Sequence, residues 1–262
     1  IVLENRTGAG GTVGALSVAR AAPDGHTLLL GTTSTYVVAP FVHRPPPYDP
    51  TTAFEPVIVL SEGAMVLCTH PRTDLRTAAE VVAAARQRPE QLTLASAGAG
   101  SLPHVVGEVF AALAGVRLTH VPYRGGAPAM NDLIGGQVDL FFEVVSNVAQ
   151  HAEAGRVVPL LTTGAARSPL LPSVPTATES GYAGLALASW TGLAAPAGTP
   201  QPVVETLNRE ANAALLSEEG QALLARLGIA AVGGDPAAMA ARITRESAVY
   251  RRVIDARGIT AG

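Results

Sequence analysis

The sequence of 262 residues contains no lysine, a single cysteine and few aromatic side chains. The missing lysine excludes the usual phosphate-binding P-loop, which ends in Gly-Lys-Ser or Gly-Lys-Thr. The lone Cys68 excludes an internal disulfide and a cysteine-based zinc cluster, and its apolar surroundings, MVLCTHP, favour a core position. Charged residues make up 15% of the chain, the net charge is -3, and no basic cluster is present. We therefore expect no nucleic-acid partner.

Long apolar runs are also absent, because glycine, proline or charge interrupts each run well before the roughly 18 residues that a membrane span needs. An apolar content of 48% is nevertheless enough for substantial cores in one large or two ordinary domains. The histidines lack the H-x-x-H and H-E-x-x-H spacings, and no acidic triplet resembles a calcium loop. The sequence thus predicts a folded protein with no metal and no cofactor.

Short apolar segments that alternate with helical patterns predict an α/β fold with mostly parallel sheets. The predicted strands are Ile1–Leu3, His26–Gly31, Val57–Leu60, Ala64–Thr69, Leu92–Ser96, Leu118–Val121, Val138–Phe142, Val157–Thr162 and Ala188–Ala194. Among the helices, one begins after Thr77, which forms a capping box with Glu80. Two C-terminal helices begin after Thr199 and Asp235, each of which precedes a proline.

One glycine-rich motif invites an enzyme interpretation. GAGGTVG, residues 8–14, resembles a dinucleotide fingerprint, but Val13 replaces its third glycine. A glycine-rich turn that leads into a helix is the favoured interpretation.

A second set of residues has the chemistry of a nucleophilic triad. Ser96, Ser101, His104 and Asp139 supply the residue types, but Leu94 stands where a nucleophile elbow needs glycine. Ser101, three residues before His104, is better interpreted as a helix N-cap. The residues leave three classes of protein open. They are a protein that binds a small molecule, an enzyme of hydrolase or dehydrogenase type, and a receptor-like protein that binds a protein partner.

Four loops at predicted strand ends are rich in small residues, hydroxyls and amides: GTTS, SAGAGS, PYRGGAP and EVVSN. Ligand-binding groups in α/β folds lie at the carboxyl ends of strands, and such loops hold anions through aligned N–H groups. Arg124 is the charged residue of interest, because a guanidinium at a strand end can meet a carboxylate. A solvated loop arginine fits the sequence equally well.

Several segments together resemble one known family, among them ENRTGAGG, LTLASAGAGSLPH, HVPYRGGAPAMNDLIGGQVDLFFE and SWTGLAAPAGTP. They are similar to the Bug family, the extracytoplasmic solute-binding receptors of tripartite tricarboxylate transporters. The resemblance runs almost from the first residue to the last. It implies a two-lobed periplasmic-binding-protein type II (Venus flytrap) fold with a ligand cleft. Lobe 1 would comprise residues 1–96 plus 189–262, and lobe 2 residues 97–188.

The resemblance also implies a non-enzymatic, periplasmic and monomeric protein that delivers a small carboxylate to a membrane permease. Carried over by position, the ligand contacts are Gly31, Thr32, Thr33, Ser34, Ser96, Ala97, Gly98, Gly100, Ser101, His104, Tyr123, Arg124, Gly125 and Glu143. Family members commonly have aspartate at the position of Glu143, so the acidic side chain is longer here. They also begin with a strand, a loop of the type P-F-x-P-G-G and a helix before the E-N-R motif. We expect the chain as given to lack that strand and loop of its first lobe.

Overall fold

The structure, a computed structural model, describes residues 1–6, 8–185, 187–226 and 229–260. The helices are α1 (Thr12–Ala19), α2 (Ala39–Val42), α3 (Ala78–Gln87), α4 (Leu102–Ala114), α5 (Gly126–Ile134), α6 (Val145–Glu153), α7 (Gln201–Leu216), α8 (Glu218–Arg226) and α9 (Pro236–Arg257). The strands are β1 (Leu29–Thr32), β2 (Phe54–Thr69), β3 (Thr93–Ser96), β4 (Thr119–Pro122), β5 (Leu140–Val144), β6 (Val158–Thr162), β7 (Ala188–Pro196) and β8 (Ala230–Gly233). Within these described residues, none of the helices has the length and apolar character of a membrane span.

The chain divides into two compact units. The first comprises Ile1–Glu62 and Trp190–Gly262, and the second Gly63–Ser189. The sequence prediction placed the first crossing at Ser96, whereas the packing groups residues 63–96 with the second unit. The reason is that the end of β2 pairs with β5 and β6, and β3 lies between β4 and β5. The predicted boundaries of the two ligand-binding lobes, residues 1–96 with 189–262 and residues 97–188, stay a prediction.

In the first unit, β1 pairs antiparallel with β7, and β2 pairs antiparallel with β8. A buried aromatic stack supports this sheet: the rings of Tyr36 and Trp190 lie 5.2 Å apart and nearly parallel. Phe54 meets the Tyr36 ring edge-on at 6.2 Å. Further along the sheet, Val57 and Ala195 pack in an apolar cluster with residues of α7. The apolar core of this unit therefore lies on both β2 and β7.

In the second unit, β3 runs parallel to β4 and β5, while β2 lies between β5 and β6 and runs opposite to both. The prediction of mostly parallel sheets is therefore wrong. The alternation of strands and helices predicts parallel pairing only between strands that are consecutive in β-α-β units. The strand β2 instead pairs with β5 and β6, which lie far along the chain, and the alternation does not predict the direction of that pairing. The core includes Val66, Ala95, Phe141 and Leu133, together with the fully buried Cys68 at its predicted core position.

Three element predictions are wrong. Ile1–Leu3 is exposed and pairs with no strand among the described residues. The segments around Val57 and Ala64 form the single strand β2, which stays extended through Gly63 because pairing continues on both sides of it. Thr199 caps no helix, since its hydroxyl donates to the Pro196 carbonyl at 2.8 Å.

Two helix starts are confirmed. Thr77 accepts from the Glu80 backbone N–H, and the Glu80 carboxylate accepts from the Thr77 N–H, which completes the capping box. The Asp235 carboxylate accepts from the Ala238 N–H at 2.7 Å and starts α9. These local side-chain to backbone patterns depend on few residues, which is why the sequence predicts them.

Candidate functional site

Three turns of the second unit follow parallel strands, so they lie at one edge of the sheet. The turn from β3 to α4 and the turn from β4 to α5 are in direct contact. The Tyr123 N–H donates to the Ser96 carbonyl at 3.0 Å, and a Cβ at Gly98 would lie 3.3 Å from the Tyr123 carbonyl oxygen. The structure therefore brings two of the predicted ligand segments together.

Ser96 holds the β3–α4 turn in shape. Its hydroxyl accepts from the Gly98 N–H at 3.2 Å and lies 2.6 Å from His120 Nε2. The turn then needs glycine at two positions, because Gly98 and Gly100 have φ values of 131° and 73°. The Ser96 hydroxyl thus has a structural role in this turn.

Three hydrogen-bond donors in this turn have no acceptor among the described residues. Ala97 and Ala99 have backbone N–H groups without a partner among the described residues. Ser101 occupies the N-cap position of α4, as predicted, but its side chain makes no capping bond. Its buried hydroxyl has no partner in the part of the chain that the structure describes. Buried polar groups are nearly always paired, so this turn is suited to a ligand that accepts hydrogen bonds.

His104 lies on the first turn of α4 and is held neutral. Its Nδ1 accepts from the Gly100 N–H at 3.1 Å, which places the ring proton on Nε2, 4.0 Å from a Glu108 carboxylate oxygen. Its ring stacks on His120 at 3.7 Å. Burial, followed by the neighbouring His120, lowers the pKa of His104 to about 4.

His120 packs against the candidate site through His104 and Ser96, and the sequence analysis did not single it out. Burial lowers its pKa as well, so both stacked rings are neutral near pH 7. Its place beside His104 follows from the parallel register of β3 and β4, in which Leu94 lies opposite His120. No local sequence pattern shows that register.

Asp139 does not join a catalytic triad. Its carboxylate accepts from the Thr93 N–H at 2.9 Å and the Thr93 hydroxyl at 2.8 Å, at the amino ends of the strands. Ser96 and His104 lie beyond the carboxyl end of β3. Among the described residues, no group of three His, Cys, Asp or Glu side chains could hold a metal ion.

The β4–α5 turn presents a guanidinium to solvent. Arg124 is exposed and has neither an ion pair nor a hydrogen bond among the described residues. The Tyr123 hydroxyl beside it donates to an Asp132 carboxylate oxygen at 2.7 Å, which fixes the ring. Gly125, with φ 123°, is the N-cap of α5. A fixed aromatic next to an unpaired arginine is an arrangement that can receive an anion.

Glu143 ends β5 and packs against the start of α5. Its Oε1 accepts from the Val144 N–H at 2.8 Å and from the Asn147 amide at 3.3 Å. A Cβ at Gly126 would collide with its Oε2, so a larger residue at this position would displace the Glu143 carboxylate. Burial raises the pKa of Glu143, and its hydrogen bonds only partly oppose this. Gly126 and Asn147 were not predicted, because both depend on the direction of this one side chain.

The segment Gly31–Ser34 lies in the first unit, at the end of β1. The Tyr36 ring lies so close to Gly31 that a Cβ at this position would be 2.5 Å from a ring carbon. The buried Thr33 hydroxyl accepts from the Trp190 N–H at 2.8 Å. Thr32 is exposed. Of the two threonines, only Thr32 therefore offers its side chain to solvent.

Comparison with known proteins gives one family. A family model described as "Tripartite tricarboxylate transporter family receptor" matches residues 1–259. A UPF0065 protein of Pseudomonas sp. is 38% identical over 255 residues, which cover 97% of this chain and 76% of that protein. BugT of Bordetella pertussis is 33% identical over 219 residues, which cover 83% of this chain and 67% of that protein.

Solved structures are also similar over nearly the whole chain. The periplasmic binding protein BugD matches with a TM-score of 0.92 and 34% identity, covering 99% of this chain and 87% of that one. An R. palustris protein with adipate matches with a TM-score of 0.94 and 35% identity, with the same coverage. MatC of Rhodopseudomonas palustris with bound malate matches with a TM-score of 0.89 and 33% identity, covering 94% of this chain and 85% of that one.

Proposed function

The chain belongs to the tripartite tricarboxylate transporter receptor family, and we propose that it is a periplasmic receptor for a small organic carboxylate. In this role it acts as a monomer and delivers its ligand to the membrane permease of a tripartite tricarboxylate transporter. The proposal agrees with two similar proteins whose structures contain the carboxylates adipate and malate.

One observation carries the proposal: the unused donors of the β3–α4 turn. The N–H groups of Ala97 and Ala99 and the hydroxyl of Ser101 have no partner among the described residues. A carboxylate accepts up to about four hydrogen bonds, so it could pair all three donors at once. The protonated Nε2 of His104 and the exposed guanidinium of Arg124 would add to this set.

The remaining predicted contacts belong to the same proposal. Glu143, buried beside the β4–α5 turn, would meet a hydroxyl or amine of the ligand. In the segment Gly31–Ser34 we expect Thr32 to make a ligand contact, because the Thr33 hydroxyl already bonds to Trp190.

The test is a panel of thermal unfolding measurements with malate, adipate, citrate and acetate. A ligand that binds only the folded chain raises Tm in a saturable way. We expect such a shift from at least one carboxylate and none from the matched neutral compounds adipamide and hexane-1,6-diol. Equal shifts from the acid and its neutral analogue, or no shift across the panel, would contradict carboxylate binding.

Delivery needs a separate measurement. Uptake of the labelled carboxylate is compared in cells that express the permease with and without this receptor. Uptake that does not depend on the receptor would overturn the transport role and leave the binding result intact.

A further inference from the structure

The first unit contains a cavity of about 820 Å³ between the segment 40–51 and α9. None of the predicted ligand contacts lines it. Its volume falls in the range of roughly 300–1,000 Å³ that is typical of small-molecule sites. The cavity is therefore large enough for a ligand of its own.

One wall of the cavity carries apolar side chains, and one of them, Tyr48, is held in place. Phe41, Pro46 and Tyr48 contribute from the segment 40–51, and Ala248 contributes from α9. The Tyr48 hydroxyl donates to the Thr35 carbonyl at 2.6 Å, and its ring meets Phe54 edge-on at 5.5 Å. An apolar ligand group would meet a surface that is already formed.

The charged residues around the cavity leave one guanidinium unpaired. Arg44 pairs with Asp255 at 3.0 Å, and Arg251 lies 3.7 Å from the other oxygen of the same carboxylate. The Asp49 carboxylate accepts from the Thr51 backbone and hydroxyl. Arg252 has no ion pair among the described residues. With three arginines against two aspartates, the lining carries one excess positive charge.

A buried hydroxyl of α9 that lines the cavity also has no partner among the described residues. Ser247 is 8% exposed, lines the cavity, and has a side-chain oxygen without a hydrogen bond among the described residues. It interrupts an otherwise apolar stripe made by Met239, Ile243, Tyr250 and Ile254. An unpaired buried hydroxyl destabilises the folded chain, and an acceptor supplied by a ligand would remove that penalty.

We propose that this cavity is a second binding site, for a small amphipathic anion with one acidic group and an apolar body. The acidic group pairs with Arg252 and accepts from Ser247, while the apolar body packs against Phe41, Pro46 and Tyr48. A guanidinium binds a carboxylate through two parallel hydrogen bonds, which fixes the orientation of the ligand. The site does not depend on the β3–α4 turn and so goes beyond the proposed receptor function.

The probe is 4-phenylbutyrate, with 4-phenylbutan-1-ol as its neutral counterpart, and the readout is isothermal titration calorimetry on the full chain. We expect saturable binding of the acid and binding of the alcohol that is weaker by about tenfold or more. Arg252→Ala should weaken binding of the acid by a similar factor, and Ala248→Trp should also weaken it, because the indole would occupy part of the cavity. Arg257→Ala, an exposed arginine of the same helix outside the cavity, is the matched control and should bind as the unmodified chain does.

Three outcomes would overturn the proposal. They are no saturable binding of the acid, equal affinity for the alcohol, and affinity unchanged by both Arg252→Ala and Ala248→Trp, which would place the probe elsewhere. Circular dichroism establishes that each variant is folded. If Ala248→Trp does not fold, the comparison of Arg252→Ala with Arg257→Ala decides.

Discussion

The guanidinium of Arg242 lies over the ring of Trp190, 5.1 Å from the ring centroid. The same guanidinium pairs with Glu62 at 2.9 Å and with Glu246 at 2.8 Å, and Glu246 accepts from the Trp190 indole N–H at 2.7 Å. Glu62 and Trp190 are the residues at which the first unit ends and resumes along the chain. One side chain of α9 therefore holds both of these chain ends in the first unit.

Arg242→Ala should destabilise the first unit by about 2–4 kcal/mol, because it leaves two partly buried carboxylates without their cation. Urea unfolding followed by fluorescence measures this directly, since Trp190 is the only tryptophan. Arg209→Ala is the control: its pair with Glu210 is exposed, and its loss should change the free energy of unfolding by less than about 0.5 kcal/mol. Equal effects of the two substitutions would refute the role assigned to Arg242.

Ser101→Ala should weaken carboxylate binding by about tenfold without lowering stability. The hydroxyl has no partner to lose among the described residues, so its removal does not disrupt the folded chain. Binding of the carboxylate that gives the largest Tm shift is measured by calorimetry, and stability by urea unfolding. In Ser180→Ala the reverse is expected, because that hydroxyl donates to the Thr176 carbonyl at 2.9 Å. A loss of stability in Ser101→Ala with unchanged affinity would mean that Ser101 is structural.

Acid should destabilise the chain through His104. Its pKa is lowered from 6.5 to about 4, so between these pH values the unfolded chain takes up a proton that the folded chain does not. The free energy of unfolding therefore falls as the pH drops through this window, by at most about 3 kcal/mol. The raised pKa of Glu143 acts in the opposite direction, so the test compares variants.

The measurement for His104 is urea unfolding at pH 7, 6, 5 and 4.5. His104→Gln should flatten the pH dependence relative to the unmodified chain, whereas His26→Gln, which changes an exposed histidine, should not. Parallel pH profiles for His104→Gln and the unmodified chain would contradict the assignment.

Gly107→Ala should destabilise the second unit by about 1–3 kcal/mol. A Cβ at this position of α4 would collide with the fully buried Leu94 side chain of β3. In a chain that already carries Leu94→Ala, the added methyl group has room, so Gly107→Ala should then cost less. Thermal or urea unfolding of the four chains gives the coupling, and additive effects would show that the two residues do not compete for space.

Family, receptor class and fold were predictable from the sequence, and the comparisons confirm them. Short motifs such as SAGAGS and PYRGG carry the resemblance because they hold glycines that only certain turns need, as at Gly98 and Gly100. Helix caps such as Thr77 were also predictable, because each cap depends on residues that are close together in the sequence.

What could not be predicted depends on residues far apart in the chain. The stack of His104 on His120 follows from the register of two parallel strands. The place of β2 between β5 and β6 follows from pairing across about 70 residues or more. Ser101 was predicted to cap α4, and it does occupy the N-cap position, but its side chain makes no capping hydrogen bond. A hydroxyl's choice of partner depends on packing around it, which residue spacing does not specify.

Two of the three unused donors in the β3–α4 turn belong to the main chain, at Ala97 and Ala99. Every residue except proline carries that N–H group, so point substitutions at these two positions would leave the donors in place while the turn keeps its shape. In the proposed receptor, binding of the acid group and selectivity among acids would therefore depend on different atoms. Substitutions of side chains such as Arg124 and Glu143 would change the selectivity, while the main-chain donors for the carboxylate would stay in place.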